Sequence, residues 1–280
     1  MLQNKVEGFK RVFFCFFLLI AVTIVLANLP EPVRKTGENV NKIVKIGPLD
    51  IEAVLVKGGT YEMGDIFVVG KDDERPVHIV TISDFYLSVT EITVRQYKKF
   101  CKRTNRKMPI QEKYSRDNYP VVFVTWYEAK DFCEWMGGLL PTEAQWEYAA
   151  RSGGLMLKYP TGSNIDHSLA NYSGKDGRDK WKKVSPVAKF TPNTLGIYDL
   201  AGNVYEWCLD YYKGNYYSLS LSQNPTGPAT SIFRVLRGGS WYHDKECLRT
   251  SHRFRYLPVA RVSFVGFRVA WDPEKVNILK

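Results

Sequence analysis

Two stretches carry the side chains with which this chain could do chemistry. Residues 196–207 read GIYDLAGNVYEW, and residues 234–241 read RVLRGGSW with His243 and Cys247 close behind. In the first, Asp199 and Glu206 bring hard carboxylate oxygens, Asn203 an amide, and Gly202 a backbone free to turn its carbonyl inward. That is the ligand chemistry a calcium ion prefers. The same acids read equally as solvated loop charges, because D-x-x-G-N-x-x-E is not the spacing of an EF-hand. In the second stretch, His243 and Cys247 are spaced to meet on a helix, but the glycines before them do not specify one. They read either as a metal-binding pair or as a surface imidazole and a disulfide cysteine. No G-x-S-x-G elbow, H-E-x-x-H, C-x-x-C or Walker loop occurs anywhere in the chain.

The elements that must position these residues are marked by their own signals. Thr93 with Gln96, Thr125 with Glu128 and Thr142 with Gln145 are capping boxes, each opening a helix with one apolar face. Those faces are Val94, Tyr97, Phe100 and Cys101; then Ala129, Phe132, Cys133 and Met136; then Trp146, Ala149 and Ala150. Gly137-Gly138 and Gly153-Gly154 close the second and third. The opposite face of the first carries Arg95, Lys98, Lys99, Lys102 and Arg103, which reads as a solvated face or as a grip for anionic lipid or phosphate. Ahead of the helices, IEAVLVKGGTYEMG predicts strand, turn, strand, and the alternation in VHIVTISDFYLSVTEIT predicts more strands. From residue 159 to 190 periodicity is lost, and a loop that long must be pinned or functional. The fold class expected is α+β, with short helices around twisted antiparallel strands.

At 280 residues with 45% apolar content the chain can bury a large core. The net charge of +10 is spread along it without a helix-turn-helix, zinc-finger or RNP pattern, so nucleic acid is not an expected partner. Lys5, Lys10 and Arg11 precede an uncharged run at 12–29, so residues 1–29 read as a signal peptide or signal anchor. The basic flank predicts a body outside the cytoplasm: periplasmic, at the cell surface or secreted, with the membrane as a partner if the segment is retained. Residues 30–50 read as a linker, 51–273 as the domain and 274–280 as a tail. Setting Cys15 aside, Cys101, Cys133, Cys208 and Cys247 remain, an even number that invites pairing in an oxidising compartment.

The two opening stretches, with LPTEAQWEYAAR at 140–151 and GFRVA at 266–270, closely resemble the sulfatase-modifying-factor or formylglycine-generating-enzyme family, over about residues 54–271. The resemblance implies a C-type-lectin-like fold whose strands open with a hairpin. It implies a first calcium loop with ligands at Asn171, the Tyr172 carbonyl, Asp179 and the Trp181 carbonyl. A second follows at Asp199, the Gly202 and Val204 carbonyls and Glu206. Of the three pairings open to the four cysteines the resemblance favours Cys208 with Cys247, since the family packs the loops flanking both, which leaves Cys101 and Cys133 either paired or simply buried on their helix faces. In the family's enzymes a cysteine pair shortly after GGS holds Cu(I), which activates O₂ to oxidise a sulfatase cysteine to formylglycine. Here His243 and Leu248 stand at those positions and Cys247 is one residue out of register, so no Cu(I) is expected. The expectation is therefore a non-catalytic, calcium-stabilised module presenting residues 242–261 to a protein or an anionic glycan. The alternative is a divergent oxidase using Cys247, with His243, on a protein cysteine.

Overall fold

Three reciprocal caps set the direction of the helices in the computed structural model, which describes residues 42–276. The expected leader at 1–29, most of the linker and the last four residues of the tail lie outside that range. In α1 (Val94–Thr104) Thr93 Oγ1 accepts from Gln96 N while Gln96 Oε1 accepts from Thr93 N. The same exchange opens α2 (Trp126–Trp135) and α3 (Glu143–Ala150). The side chains α1 buries are Val94, Tyr97, Phe100 and Cys101, the expected face, and Asn105 closes it in the left-handed region. Tyr97 and Phe100 meet Phe132 of α2 with ring centroids 5.5 and 5.1 Å apart, an aromatic seam that fixes how the two helices pack. No helix among the described residues is long and apolar enough to cross a membrane.

The strands form three sheets. β1 (Val44–Ile46), β2 (Ile51–Val56), β5 (Phe85–Ser88) and β10 (Ala270–Trp271) make an antiparallel sheet in the order β1-β2-β5-β10. β3 (Gly59–Met63) pairs with β4 (His78–Ile82) alone, and the third sheet runs β8-β7-β6-β9. In it β6 (Tyr205–Tyr211) and β7 (Arg234–Arg237) are central, β8 (Phe254–Tyr256) is an edge, and β9 (Val265–Gly266) lies parallel to β6. α3 packs on β3, β4, β6 and β7 and so ties the two-stranded sheet to the β8-β7-β6-β9 sheet. The mixture is α+β, as expected from the sequence.

Two expectations are corrected here. Residues 44–46, placed in the linker, are a strand with Ile46 fully buried, because Val44 and Ile46 alternate into the same apolar face as Ile51 and Ala53. The opening strand, turn, strand is also not a hairpin, since β2 pairs with β1 and β5 while β3 pairs with β4. At Gly58 the chain crosses from one sheet to the other so tightly that a β-carbon would sit 2.2 Å from the Ile82 carbonyl oxygen. Gly58 N is held there by Asp84 Oδ1 at 2.8 Å.

Candidate functional site

Cys247 lies within a short 3-10 turn, Lys245–Leu248, which begins only after His243, so no helix aligns the pair. His243 Nδ1 meets Ser240 Oγ at 2.7 Å, and its ring packs edge-on between Tyr205 and Phe264 with centroids 5.0 and 5.1 Å away. Burial lowers its pKa. Cys247 is half-buried against the hydroxyl of Tyr205, and burial pushes its thiol up, which favours thiol over thiolate. Tyr205 in turn meets His252 Nε2 at 3.0 Å. His252 is 2% exposed, and burial drives it down to about 3, so the ring stays neutral. Leu248 is 0% exposed, packed with Tyr159, Ile165, Ala170 and Ala201. The space between residues 243 and 248 is thus lined by aromatic rings, aliphatic carbon, the Ser240 hydroxyl and one thiol.

The disulfide expected between Cys208 and Cys247 does not form; Cys101, Cys133, Cys208 and Cys247 are all free thiols. The reason is strand alternation. Tyr205 and Trp207 point to one face of β6, where Cys247 also packs, whereas Cys208 faces the other core with Trp146 and Val235. The Cys208 thiol reaches only the Glu206 carbonyl, at 3.9 Å.

The first expected calcium loop has buried, incompletely partnered oxygens. Asn171 is 1% exposed and donates from Nδ2 to the Lys183 carbonyl at 2.8 Å, while its Oδ1 has no partner. Asp179 is 2% exposed; its Oδ1 accepts from Trp181 N at 3.2 Å and its Oδ2 lies 3.1 Å from His167 Nδ1. The His167 ring stacks on Tyr172 at 3.8 Å. Burial raises the Asp179 carboxyl, as it does any acid lacking a strong cation. This donor chemistry, an orphan amide oxygen and a desolvated carboxylate on one loop, suits a hard cation.

The second loop is built differently. Glu206 is 0% exposed, and Arg268 grips both of its oxygens, from Nε at 2.6 Å and Nη2 at 2.7 Å, while Trp146 Nε1 donates to Oε2 at 2.7 Å. Asp199 Oδ2 accepts from Ala188 N at 2.7 Å, and burial pushes its carboxyl up to about 6. Gly202 is indispensable to the crossing of the two loops, since a β-carbon there would sit 2.2 Å from the Asn171 carbonyl oxygen. Asn203 is their hub, accepting from Ser185 N at 2.9 Å and from Asn171 Nδ2 at 3.3 Å, and donating to Glu91 at 3.1 Å.

Glu91 is the residue sequence reasoning missed. It is 0% exposed and its pKa is raised well above the usual carboxylate range, by burial first and then by Asp199. Only its flanking apolar residues hinted that it points inward. Three buried carboxyls, Glu91, Asp199 and Glu206, lie around one guanidinium, Arg268: Glu206 is paired with it, and burial holds Glu91 and Asp199 toward their protonated forms, whose protons a bound cation would displace. Their oxygens do not converge: among the described residues no three His, Cys, Asp or Glu side chains gather as a metal cage. A cation in either loop would rely on amide and backbone carbonyl oxygens as well, as calcium accepts.

A cavity of about 780 Å³ opens between β8 and the 3-10 turn Asp72–Glu74, walled by Tyr212, Phe233, Arg255, Tyr256 and Leu257. Of the basic residues in 242–261, read either as ligand contacts or as partners of buried carboxylates, Arg249 and Arg253 are buried on carboxylates. Arg249 pairs with Glu74 at 2.6 and 2.7 Å, holding it down at about 2 against its burial, and Arg253 pairs with Glu143 at 2.7 and 2.9 Å. Arg255 is exposed, its guanidinium 4.7 Å over the Tyr212 ring and donating to the Tyr212 hydroxyl at 3.0 Å, and it borders the cavity together with Lys71, Asp72 and Asp73. A second cavity, of about 480 Å³, lies between residues 107–110 and Arg261.

The groove depends on a buried ionic core. Arg237 donates to Glu147 and to the Thr250, Ser251 and His252 carbonyls, while Arg151 links Glu147 to Gly64. Next to it Asp210 accepts from Glu143 N at 2.8 Å, and burial, then the Glu143 charge, pushes it up to about 8. The folded state thus holds a proton that the unfolded chain releases near pH 4, so stability falls as pH rises from about 4 to 8. Asp210→Asn keeps an acceptor and has no proton to lose. Its melting temperature should exceed that of the parent by a margin that widens up to about pH 8, worth roughly 1–3 kcal/mol there. A margin independent of pH would show that Asp210 is ionised in the fold.

The comparisons with known proteins agree with this architecture. A model of the sulfatase-modifying factor enzyme 1-like domain matches residues 48–273. The chain is 38% identical over 247 residues to serine/threonine-protein kinase pkn1 of Chlamydia pneumoniae, covering 80% of this chain but 38% of that protein. It is 30% identical over 280 residues to the formylglycine-generating enzyme of Streptomyces coelicolor, covering 79% of this chain and 89% of that one. Among solved structures, PvdO from Pseudomonas aeruginosa superposes with a TM-score of 0.73 at 26% identity, over 84% of this chain and 99% of that one. The chain spans less than two fifths of the kinase and nearly all of the enzyme, so what it shares with both is this domain. It belongs to the sulfatase-modifying factor enzyme 1-like family, whose members include formylglycine-generating enzymes.

Proposed function

We propose that the chain is a non-catalytic binding module of its family, stiffened by calcium in the 171–181 and 199–206 loops. Its ligand site is the groove beside β8. The observation that carries this reading is the side-chain set after Gly239: an imidazole wedged among rings at 243, a core leucine at 248, and a single thiol that burial keeps protonated. Two soft thiolates with an open position are what Cu(I) chemistry on a substrate thiol requires, and this chain has one cysteine there. β8 is a sheet edge, so an extended protein segment can pair with it, set an apolar side chain against Tyr256 and Leu257, and place an acidic group on Arg255. An anionic glycan stacking on the same rings is the other occupant this groove suits. The same reading keeps the module outside the cytoplasm, where calcium is abundant enough for sites of modest affinity.

A divergent formylglycine-generating oxidase is the second reading, and the observation in its favour is the Tyr205 hydroxyl beside the Cys247 thiol. The two separate in one assay. Incubated with Cu(I), O₂ and a C-x-P-x-R peptide, the protein should give no aldehyde above the level of a Cys247→Ser variant. Aldehyde that depends on Cys247 would make the chain an oxidase.

A further inference from the structure

The strongest charge concentration in the molecule lies away from the groove. α1 contains no acidic residue, and its exposed side chains are Arg95, Lys98, Lys99, Lys102 and Arg103, followed by exposed Arg106 and Lys107. Among the described residues four carboxylates lie along it: Asp117 is 3.6 Å from Arg95 and 3.7 Å from Lys98, Asp131 pairs with Arg106, and at the β1–β2 end exposed Glu52 stands opposite Lys45 in the strand register with exposed Asp50 in the turn. Lys99, Lys102 and Lys107 have no ion-pair partner among the described residues, so the face keeps a clear positive excess. A helix that needed only a solvated face would be served better by interspersed signs, which add i,i+4 pairs. Seven cations within thirteen residues repel one another unless an anionic surface meets them.

The position of this face narrows what that surface is. Arg103 Nη1 donates to the Pro48 carbonyl at 2.6 Å, which sets the C-terminal end of α1 beside the β1–β2 turn, close to where the described chain begins. There Lys42 and Lys45 are exposed as well, and Ile43 is 52% exposed. The sequence places only twelve residues, 30–41, between this point and the uncharged run at 12–29, a reach of at most about 40 Å. The loop after α1 adds Ile110, at 84% one of the most exposed apolar side chains, between Lys107 and Lys113. Basic residues around an apolar side chain are the composition that seats a protein on an anionic bilayer.

We propose that the basic face of α1, with Lys42 and Lys45 beside it, lies against the anionic phospholipid headgroups of the bilayer that residues 12–29 enter. The body is then held close to the membrane by two contacts, the apolar segment and this face, and the β8 groove is presented at a fixed orientation.

Lysine labelling of the full chain tests this. The chain is reconstituted in nanodiscs of phosphatidylcholine alone, or with about one third phosphatidylglycerol, and pulsed with a water-soluble acetylating reagent read by mass spectrometry. Lys98, Lys99 and Lys102 should label about tenfold more slowly in the anionic discs, and lose that protection in high salt. Lys175 and Lys180, exposed in a distant segment of the chain, should label equally in both. In a K98E/K99E/K102E variant, Lys45 should lose its protection too, while an unchanged melting temperature shows that the fold is kept. Equal labelling in the two kinds of disc, or a chain that does not enter discs at all, overturns the proposal. So does equal protection in neutral discs supplied with inorganic phosphate, which would make the face a site for soluble anions.

Discussion

Glu147→Gln should lower the melting temperature by about ten degrees or more, whereas Glu134→Gln should hardly move it. Both remove a carboxylate that pairs with a cation four residues away or nearer in space, but only one is buried. Glu134 holds Lys130 at 2.5 Å in solvent, where such pairs contribute at most about 1 kcal/mol. Glu147 is 0% exposed and accepts from Gly64 N, Arg151 Nε and Arg237 Nη2. Neutralising it leaves Arg151, Arg237 and Arg253 buried with Glu143 as the remaining ionised carboxylate of the network. Glu143 itself is pushed up by burial and drawn below its ordinary pKa by Arg253 and then Arg237. Breaking one partner of such a network costs about 3–5 kcal/mol, or roughly 2–4 °C per kcal/mol for a domain this large. Because Arg237 also gathers the Thr250, Ser251 and His252 carbonyls, the loss should loosen the segment leading into β8 before the rest of the fold. Faster hydrogen exchange at residues 250–256 would register it. A variant as stable as Glu134→Gln would show that the ionic core merely fills space.

How much of this was legible in the chain depends on whether a residue acts through its neighbours in sequence or in space. The capping boxes at Thr93, Thr125 and Thr142 are local devices, two side chains and two amides within one turn, and all three formed as read. The buried face of α1 follows from the 3.6-residue period alone. The crossing at Gly58 was not readable, because a glycine pair before a strand looks the same whether the chain doubles back or changes sheets. The Cys208 to Cys247 pairing failed for a related reason, since strand alternation assigns a face only once the strand's register is known. Glu91 escaped because its partners, Asp199 and Asn203, lie more than a hundred residues away. The arginines of 242–261 read as ligand contacts or, for at least half of them, as partners of buried carboxylates; Arg249 and Arg253 are such partners, of Glu74 and Glu143, which no pattern within that stretch could name. What the sequence did contain at the candidate site was composition: one cysteine where copper needs two.

Removing calcium should destabilise the protein substantially, and the two loops should contribute separately. In the first loop, Asn171 Oδ1 is buried without a donor, an arrangement that costs about 1–3 kcal/mol unless something polar meets it. In the second, burial holds Glu91 and Asp199 toward their protonated forms beside the Glu206–Arg268 pair, and a bound cation would take the place of those protons. A cation bound only by the folded state stabilises it by RT ln(1 + [L]/Kd), about 2.7 kcal/mol per site when calcium is a hundredfold above Kd. For two sites that amounts to some ten degrees or more of melting temperature between millimolar calcium and EGTA. The difference with and without calcium, taken within each variant, cancels whatever else the substitution disturbs. Asp179→Ala should remove about half of it and Asp199→Ala the other half. Asp199→Asn should retain most of it, because an amide oxygen can replace one carboxylate oxygen. Magnesium should not substitute, since it demands near-octahedral geometry and sheds its water reluctantly, which loops of amide and carbonyl oxygens do not suit. A melting temperature that EGTA leaves unmoved would mean that both loops are closed by protein groups alone, with Glu91 and Asp199 neutralised by protons in place of a metal.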